Sequence, residues 1–226
     1  MNETKSVQIG ALEQKQVNWK QIQQDLASLV GHLHEELGWF DAESLANTPD
    51  RVLRFYKEFY GSGEAELNFT KFDRPKSQAS TLISLRKIRT YSLCQHHMLP
   101  FEMDISIGYL PAENGKICGL SKLSRTAMKF ASKPAIQEQV TQEIVDFLMN
   151  ELRPIFVVCV IEGKHHCSMI RGVRQQASLL TTSAMGWDTS RFGKSDAEHA
   201  REDFVKVIKW DIKKLRKTQS NDLEEY

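Results

Sequence analysis

The sequence has no apolar segment long enough to cross a lipid bilayer. Its longest uninterrupted apolar run, residues 155–161, is far shorter than the ~20 residues that a spanning helix needs. The first residues are polar and lack the apolar stretch of a secretion signal. We therefore expect no membrane association and a cytoplasmic location.

The chain also has almost no net charge. Its 30 Lys and Arg residues and 29 Asp and Glu residues leave a formal charge of +1 at pH 7. A near-neutral protein has no overall field that attracts a polyanion, so we expect no nucleic-acid partner. An anionic ligand would have to be held by a local cluster of cations.

Cysteine is scarce, with four residues in a chain of 226. Two disulfides are arithmetically possible, but nothing indicates secretion, and reduced thiols are expected. Cys118 and Cys159 lie in apolar surroundings, which is typical of core packing. Cys94 and Cys167, in contrast, lie next to histidines.

The N-terminal third has the pattern of helices. Apolar residues at helical spacing predict an amphipathic helix over about residues 13–37, which Gly38 would end. A second helix is predicted to begin with Thr48 as its cap and Pro49 at its first position. We interpret residues 1–79 as an N-terminal helical extension.

The middle of the chain combines strands with helices. The predicted elements are strands at 82–93 and 101–108, helices at 120–130 and 136–148, a strand at 155–161, a turn at 162–164 and a return strand at 165–173. This order predicts an α+β fold, with an antiparallel sheet made from two hairpins and two helices on one face. We expect the core domain to span residues 80–192, followed by a C-terminal helix and polar tail over 193–226.

Two short segments concentrate the residue types that bind transition metals. They contain Cys94, His96 and His97 in the first, and His165, His166 and Cys167 in the second. Thiolate and imidazole are ligands that Zn²⁺ prefers, and three protein ligands leave a fourth position for water. The two segments therefore predict a catalytic metal site.

Strand geometry limits which residues of the first segment can converge. Neighbouring residues of a strand point to opposite faces, so Cys94, His96 and His97 converge only if the strand ends or bulges there. One histidine is then a ligand and the other is free for proton transfer, and the spacing does not choose between them. Ordinary buried cysteines and a closed structural zinc site are the alternatives.

Seven short motifs occur in a fixed order between about residues 48 and 192, some two-thirds of the chain. They are residues 48–52, 94–101, 107–111, 119–123, 136–139, 165–167 and 171–173. In sequence and order they resemble the GTP cyclohydrolase I family, zinc enzymes that convert GTP to 7,8-dihydroneopterin triphosphate with loss of formate. The resemblance implies the tunnelling fold, in which sheets of several subunits join into a barrel.

The resemblance also implies roles for the metal-binding segments. It makes Cys94, His97 and Cys167 the zinc ligands, and it leaves His96 and His165 as acid/base groups. Active sites in this family lie between subunits, which implies a homo-oligomer, a decamer. Residues from a neighbouring chain would then complete each site.

GTP is the substrate that the resemblance implies. Glu138 corresponds to the guanine anchor and Gln137 to its helper, because a carboxylate accepts both the N1–H and the 2-amino donors of guanine. The triphosphate needs cations and a hydroxyl donor from the matched motifs. These are Ser121, Lys122, Arg125, Arg171, Arg51 and Arg54.

Gln95 departs from the family pattern, in which Glu stands beside the first ligand. The substitution removes a negative charge next to the metal while keeping the hydrogen-bonding shape. Two further hypotheses stay open: a related enzyme that stops at a ring-opened formamidopyrimidine, and a non-catalytic zinc protein on the same scaffold. The product would enter pterin, folate or 7-deazaguanine biosynthesis, and the sequence does not distinguish these pathways.

Overall fold

The computed structural model describes residues 17–64, 67, 69–73, 82–112, 115–186, 204 and 206. The chain divides into two compact units, Met1–Glu58 and Phe59–Tyr226. The predicted domain boundaries after residues 79 and 192 lie outside the described residues, as does most of the predicted C-terminal helix. The division into three parts therefore stays a prediction.

The first helix, α1, spans Trp19–Leu37. It begins at Asn18, whose side-chain oxygen accepts a hydrogen bond from the backbone N–H of Gln21 at 3.1 Å. It ends at Gly38, which has a φ of 64° and donates its N–H to the carbonyl oxygen of His34 at 2.8 Å. The predicted end of this helix is confirmed.

Replacement by alanine should change the stability of the protein in opposite directions at Gly38, which follows α1, and at Gly31, which lies inside it. Gly38→Ala places a side chain at positive φ, and we expect it to lower the free energy of unfolding by about 1 kcal/mol. Gly31→Ala lies inside the helix, where an added Cβ meets no atom within 4 Å, and should raise that free energy by about 0.5–1 kcal/mol. Urea unfolding followed by circular dichroism measures both, and equal effects would contradict the assignment of Gly38 as the helix terminator.

The second helix, α2, spans Ala42–Glu64, so its predicted start at Thr48 is wrong. The Asp41 side chain caps it, since its carboxylate accepts the backbone N–H of Ser44 at 2.7 Å. That hydrogen bond is also the main reason why the pKa of Asp41 is lowered. Pro49 therefore lies inside the helix and not at its first position.

The second unit is built from seven strands and three helices in its described part, besides the end of α2. They are β1 Lys71–Asp73, β2 Ile83–Cys94, β3 Pro100–Leu110, β4 Lys116–Cys118, α3 Leu120–Ala131, β5 Pro134–Ala135, α4 Gln137–Leu152, β6 Phe156–His165, α5 His166–Met169 and β7 Leu179–Gly186. The main sheet has the order β5-β2-β3-β6-β7, and β1 pairs with β4 in a separate two-stranded sheet. Neighbours in the main sheet are antiparallel, except that β5 runs parallel to β2.

The second predicted hairpin is wrong in its turn and in its return strand. Residues 162–164 do not turn but continue β6, where Gly163 pairs with Met103 of β3. β3 is 11 residues long and offers partners as far as His165, so the strand extends past the glycine. The return strand is β7, and the second metal-binding segment lies on the connection to it.

The core lies between the main sheet and the helices α3 and α4. Alternate residues of β3, from Phe101 to Tyr109, are at most 1 % exposed. They belong to one buried cluster with Leu123 of α3 and with Ile144 and Leu148 of α4. The α+β architecture with two helices on one face is confirmed. None of the described helices combines the length and apolar character that a membrane span requires.

Candidate metal centre and active site

The first metal-binding segment lies where β2 ends. The backbone N–H of Cys94 still bonds to the carbonyl oxygen of Leu99, whereas its own carbonyl accepts the N–H of Met98, both at 2.8 Å. Met98 has a φ of 55°, which completes a tight turn before β3. Because the strand ends here, the alternation of side chains no longer applies to His96 and His97.

The second segment reaches the same end of the sheet. β6 ends at His165, which pairs in register with Phe101, and the chain then forms the single turn of α5. Phe101 directly follows the turn that begins at Cys94, so the register of β3 and β6 brings Cys167 to Cys94. The two thiol sulfurs lie 3.6 Å apart.

Three side chains form a candidate metal-binding set. The ligand atoms of Cys94, His97 and Cys167 all lie within 4.8 Å of one another. Two sulfurs bound tetrahedrally at Zn–S distances of ≈ 2.3 Å would be about 3.8 Å apart, close to the observed separation. The four cysteines are free thiols, and a disulfide would require ≈ 2.05 Å between sulfurs. The donor set and its spacing therefore fit zinc.

The Cys94 thiol influences the ionisation of Cys167. Burial, above all, raises the pKa of Cys167, and the neighbouring Cys94 thiol raises it further, while Arg171 acts in the opposite direction. Adjacent thiolates repel, so the pair favours a bound cation that offsets their charge.

The structure separates the two histidines of the first segment. Both are exposed, but His97 groups with the two cysteines, whereas His96 lies outside that set, with its Nδ1 3.8 Å from the Cys94 sulfur. His166 is also outside the ligand set, and its Nδ1–H donates to the carbonyl oxygen of Pro100 at 3.0 Å. This geometry is consistent with His97 as the ligand and His96 as the free histidine.

His165 is held between an aromatic ring and a buried amide. Its ring stacks on Phe101, with centroids 4.2 Å apart and planes 9° from parallel. Its Nε2 lies 3.1 Å from the side-chain oxygen of Gln137. Burial lowers the pKa of His165, and the charge of Glu138 partly opposes this effect. Gln137 itself is 0 % exposed.

One cavity of about 440 Å³ contains these groups. Its volume lies within the usual range for small-molecule sites, ≈ 300–1,000 Å³. The predicted site residues in its wall are Cys94, His96, His97, Gln137, Glu138, His165 and Cys167. Glu138 lies in the first turn of α4 and is exposed. A metal-binding set, two further histidines and a carboxylate therefore face the same space.

The predicted triphosphate-binding residues do not line this cavity within the described part of the second unit. Ser121, Lys122 and Arg125 lie on α3, and Arg171 follows α5, close enough to Cys167 to influence its pKa. Arg51 and Arg54 lie on α2 in the first unit and line a surface depression there. The Arg51 guanidinium forms an ion pair with Glu43 at 2.7 Å. The phosphate-binding role of these residues stays a prediction.

Two residues of the site were not recognised from the sequence. The alternation of β3 predicts a buried Phe101, but only the pairing of β3 with β6 shows that it stacks on His165. Gly163 resembled a turn residue, yet it lies in β6 against Gln137. Both contacts depend on tertiary structure, which leaves no local pattern in the sequence.

The chain is similar in sequence to proteins of one known family. The family model described as GTP cyclohydrolase I matches residues 23–209. The GTP cyclohydrolase 1 of Corynebacterium glutamicum is 42% identical over 146 residues, which cover 64% of this chain and 74% of that protein. The GTP cyclohydrolase 1 of Aquifex aeolicus is 41% identical over 170 residues, covering 75% and 86%. Among solved structures, the apo archaeosine synthase QueF-Like aligns with 49% of this chain and 99% of its own, at a TM-score of 0.40 and 11% identity.

Proposed function

The chain belongs to the GTP cyclohydrolase I family, and on this basis we propose that it converts GTP and water to 7,8-dihydroneopterin triphosphate and formate. The observation that carries the proposal is the convergence of the Cys94, His97 and Cys167 ligand atoms in one cavity with His165 and Glu138. A metal-binding set alone, or a carboxylate alone, would not support this reaction. The proposal depends on both lying in one cavity.

Zinc is the metal that we propose for the Cys94, His97 and Cys167 set. Bound zinc would lower the pKa of a water molecule to ≈ 7 and so supply a nucleophile for C8 of the guanine base at neutral pH. The protein would supply the thiolates and the imidazole, and the burial of Cys94 would limit competition by solvent for that ligand.

His165 and His96 are the proposed proton carriers. Burial favours the neutral form of His165, in which one ring nitrogen has a lone pair that can accept a proton. His96 is exposed in the same cavity and can exchange protons with solvent. Opening of the imidazole ring and loss of formate require proton delivery to ring nitrogens, and the two histidines would share this task.

Glu138 is the proposed anchor for guanine. Its exposed carboxylate, in the cavity that contains the metal-binding set, can accept the N1–H and the 2-amino group of the base together. Adenine has no hydrogen at N1 and no 2-amino group, so the same carboxylate would select against ATP.

Replacing this carboxylate should weaken substrate binding more than chemistry. Glu138→Gln is expected to raise KM for GTP by roughly 10- to 100-fold, because hydrogen bonds to a charged group are worth about 1.5–3 kcal/mol, while kcat changes less. Steady-state kinetics measure both constants. Asp146→Asn is the matched control, since it removes the same charge from α4 at a carboxylate that accepts from Gln142 of the same helix at 2.8 Å and lies outside the cavity lining. An unchanged KM in Glu138→Gln would exclude the anchor role.

We further propose a homo-oligomer, a decamer, in which cationic residues of neighbouring chains complete the site. No lysine or arginine lines the cavity in the part of the second unit that the structure describes, although a triphosphate carries several negative charges. The proposed contributors are Ser121, Lys122, Arg125, Arg171, Arg51 and Arg54. Sedimentation velocity with and without GTP tests the assembly, and an active monomer would exclude a shared site.

One assay tests the reaction. Purified protein of known zinc content is incubated with GTP, formate is quantified, and the pterin product is oxidised and detected by its fluorescence. Formate in equal amount to neopterin supports the proposal. A ring-opened formamidopyrimidine that accumulates would indicate an enzyme altered by Gln95, and zinc-loaded protein without any turnover would indicate a non-catalytic zinc protein.

A further inference from the structure

We propose that Gln137 is a positioning residue that determines which ring nitrogen of His165 carries the proton. The placement of the proton follows from hydrogen bonds within the protein, and only its catalytic consequence rests on the proposed function. This role differs from that of a substrate ligand, because the Gln137 side chain has no exposed surface.

The surroundings of the Gln137 amide fix its orientation. The side-chain nitrogen lies 3.0 Å from the carbonyl oxygen of Ile161 and 2.9 Å from that of Leu179. Carbonyl oxygens accept hydrogen bonds and cannot donate them, so the amide group that faces them must be the NH₂. The flipped amide would place its own oxygen against both carbonyl oxygens in a buried site, which is strongly unfavourable.

A third contact of this nitrogen agrees with the same orientation. The hydroxyl of Thr181 lies 3.0 Å from the Gln137 nitrogen and 2.7 Å from the hydroxyl of Thr141. Thr141 donates its proton to the backbone carbonyl of Gln137 at 2.8 Å, so the proton between the two hydroxyls comes from Thr181. Thr181 therefore meets the Gln137 amide with a lone pair, as an acceptor.

The amide orientation determines the tautomer of His165. With its NH₂ directed to these three acceptors, Gln137 presents its oxygen to Nε2 of His165 at 3.1 Å. That oxygen cannot donate, so Nε2 carries the hydrogen and donates it. In the neutral ring the lone pair is then at Nδ1, and Nδ1 is the atom at which His165 accepts and returns a proton.

Two neighbours hold this pair in place. Stacking on Phe101, with planes 9° from parallel, limits rotation of the His165 ring. Gly163 leaves room for the amide, because a Cβ at that position would overlap the Gln137 side-chain oxygen. The glycine in β6 is therefore required by the amide and not by a turn.

The direct test is the tautomer itself. In zinc-loaded protein labelled with ¹⁵N-histidine, two-bond ¹H–¹⁵N correlation distinguishes a protonated Nε2 from a protonated Nδ1, and a His165→Ala spectrum assigns the signal. We expect the Nε2–H form in the wild-type protein and a mixture of tautomers in Gln137→Met. Thr181→Val is the matched control, since the two carbonyl oxygens still orient the amide and the Nε2–H form should persist.

Kinetics separate positioning from substrate binding. Gln137→Met should lower kcat by roughly 10- to 100-fold, by analogy with the cost of losing the partner that orients a metal-ligating histidine, with KM for GTP little changed. Gly163→Ala should shift the tautomer and kcat in the same direction although Gln137 and His165 are both present, which covers the case in which Gln137→Met does not fold.

Three results would overturn the inference. The first is an Nδ1–H tautomer in the wild-type protein, and the second is an Nε2–H form unchanged in both Gln137→Met and Gly163→Ala. The third is a rise in KM without a fall in kcat, which would assign Gln137 to substrate binding instead. If the wild-type protein shows the Nε2–H form but does not turn over GTP, the proposed function fails while the positioning role stands.

Discussion

Cys167→Ser is expected to lose bound zinc and to release no formate from GTP. The three ligand atoms lie within 4.8 Å of one another, and removal of one thiolate leaves a site with two protein ligands. A serine hydroxyl stays protonated at neutral pH and is a poor substitute for a thiolate. Because a catalytic metal is worth several kcal/mol of transition-state stabilisation, activity should fall by more than about 100-fold.

Metal analysis and the formate assay on the same sample check this result. Cys118→Ala is the matched control, because Cys118 is a free thiol that contacts the Tyr109 hydroxyl at 3.7 Å and lies outside the ligand set. It should retain full zinc content. Full zinc occupancy in Cys167→Ser would show that Cys167 is not a ligand, and full activity without zinc would exclude metal-dependent chemistry.

His165→Ala is expected to keep its zinc and to lose most of its turnover. His165 lies outside the set of ligand atoms but lines the same cavity, with its ring held by Phe101 and Gln137. A positioned acid/base group contributes typically 10²–10⁴-fold to rate, and kcat should fall by about that factor. Zinc content and sedimentation behaviour should match those of the wild-type protein.

The adjacent histidine provides the control for this variant. His166→Ala removes an imidazole from the next position, where Nδ1–H donates to the carbonyl oxygen of Pro100 at 3.0 Å. We expect kcat within a few-fold of wild type and a loss of about 0.5–1.5 kcal/mol in the free energy of unfolding. If both variants lose turnover equally, the assignment of His165 as a specific proton carrier is wrong.

The residue types of the candidate metal-binding set could be predicted because they lie close together in two short segments of the sequence. Cysteine and histidine are rare in this chain, and their clustering in two short segments indicates metal chemistry without any knowledge of the fold. The choice between His96 and His97 was not predictable from spacing alone. It depends on the turn after Cys94, whose geometry is set by hydrogen bonds to Met98 and Leu99.

The errors in the predicted fold have a common cause. Thr48-Pro49 and residues 162–164 have strong local signals for a helix start and for a turn, yet both lie inside longer elements. An earlier cap at Asp41 and a long partner strand, β3, outweigh these local preferences. The types of the longer elements were predictable from periodicity, whereas the start of α2 and the extent of β6 depended on contacts outside the local motif.

The role of Gln137 illustrates the same limit at the level of one side chain. The sequence places it next to Glu138, so a shared role in substrate binding was the natural interpretation. Successive residues of a helix point in different directions. Here the Glu138 side chain is exposed, whereas the Gln137 side chain is buried and donates to carbonyl oxygens of β6 and β7. Gln137 and Glu138 are therefore adjacent in sequence but differ in burial, which the sequence alone did not indicate.

The short strand β5 joins the start of α4 to the end of β2 through backbone pairing. Ala135 pairs with Cys94, and its carbonyl oxygen also accepts the backbone N–H of Gln95 at 3.2 Å. Only two residues separate Ala135 from Glu138, so the proposed anchor for the base and Cys94 of the candidate metal-binding set are tied to the same backbone pairing. The backbone distance between Cys94 and Glu138 is therefore constrained by this pairing in the absence of substrate. We therefore expect the separation between Cys94 and the start of α4 to change little when a ligand binds, because Ala135 is hydrogen-bonded to the end of β2.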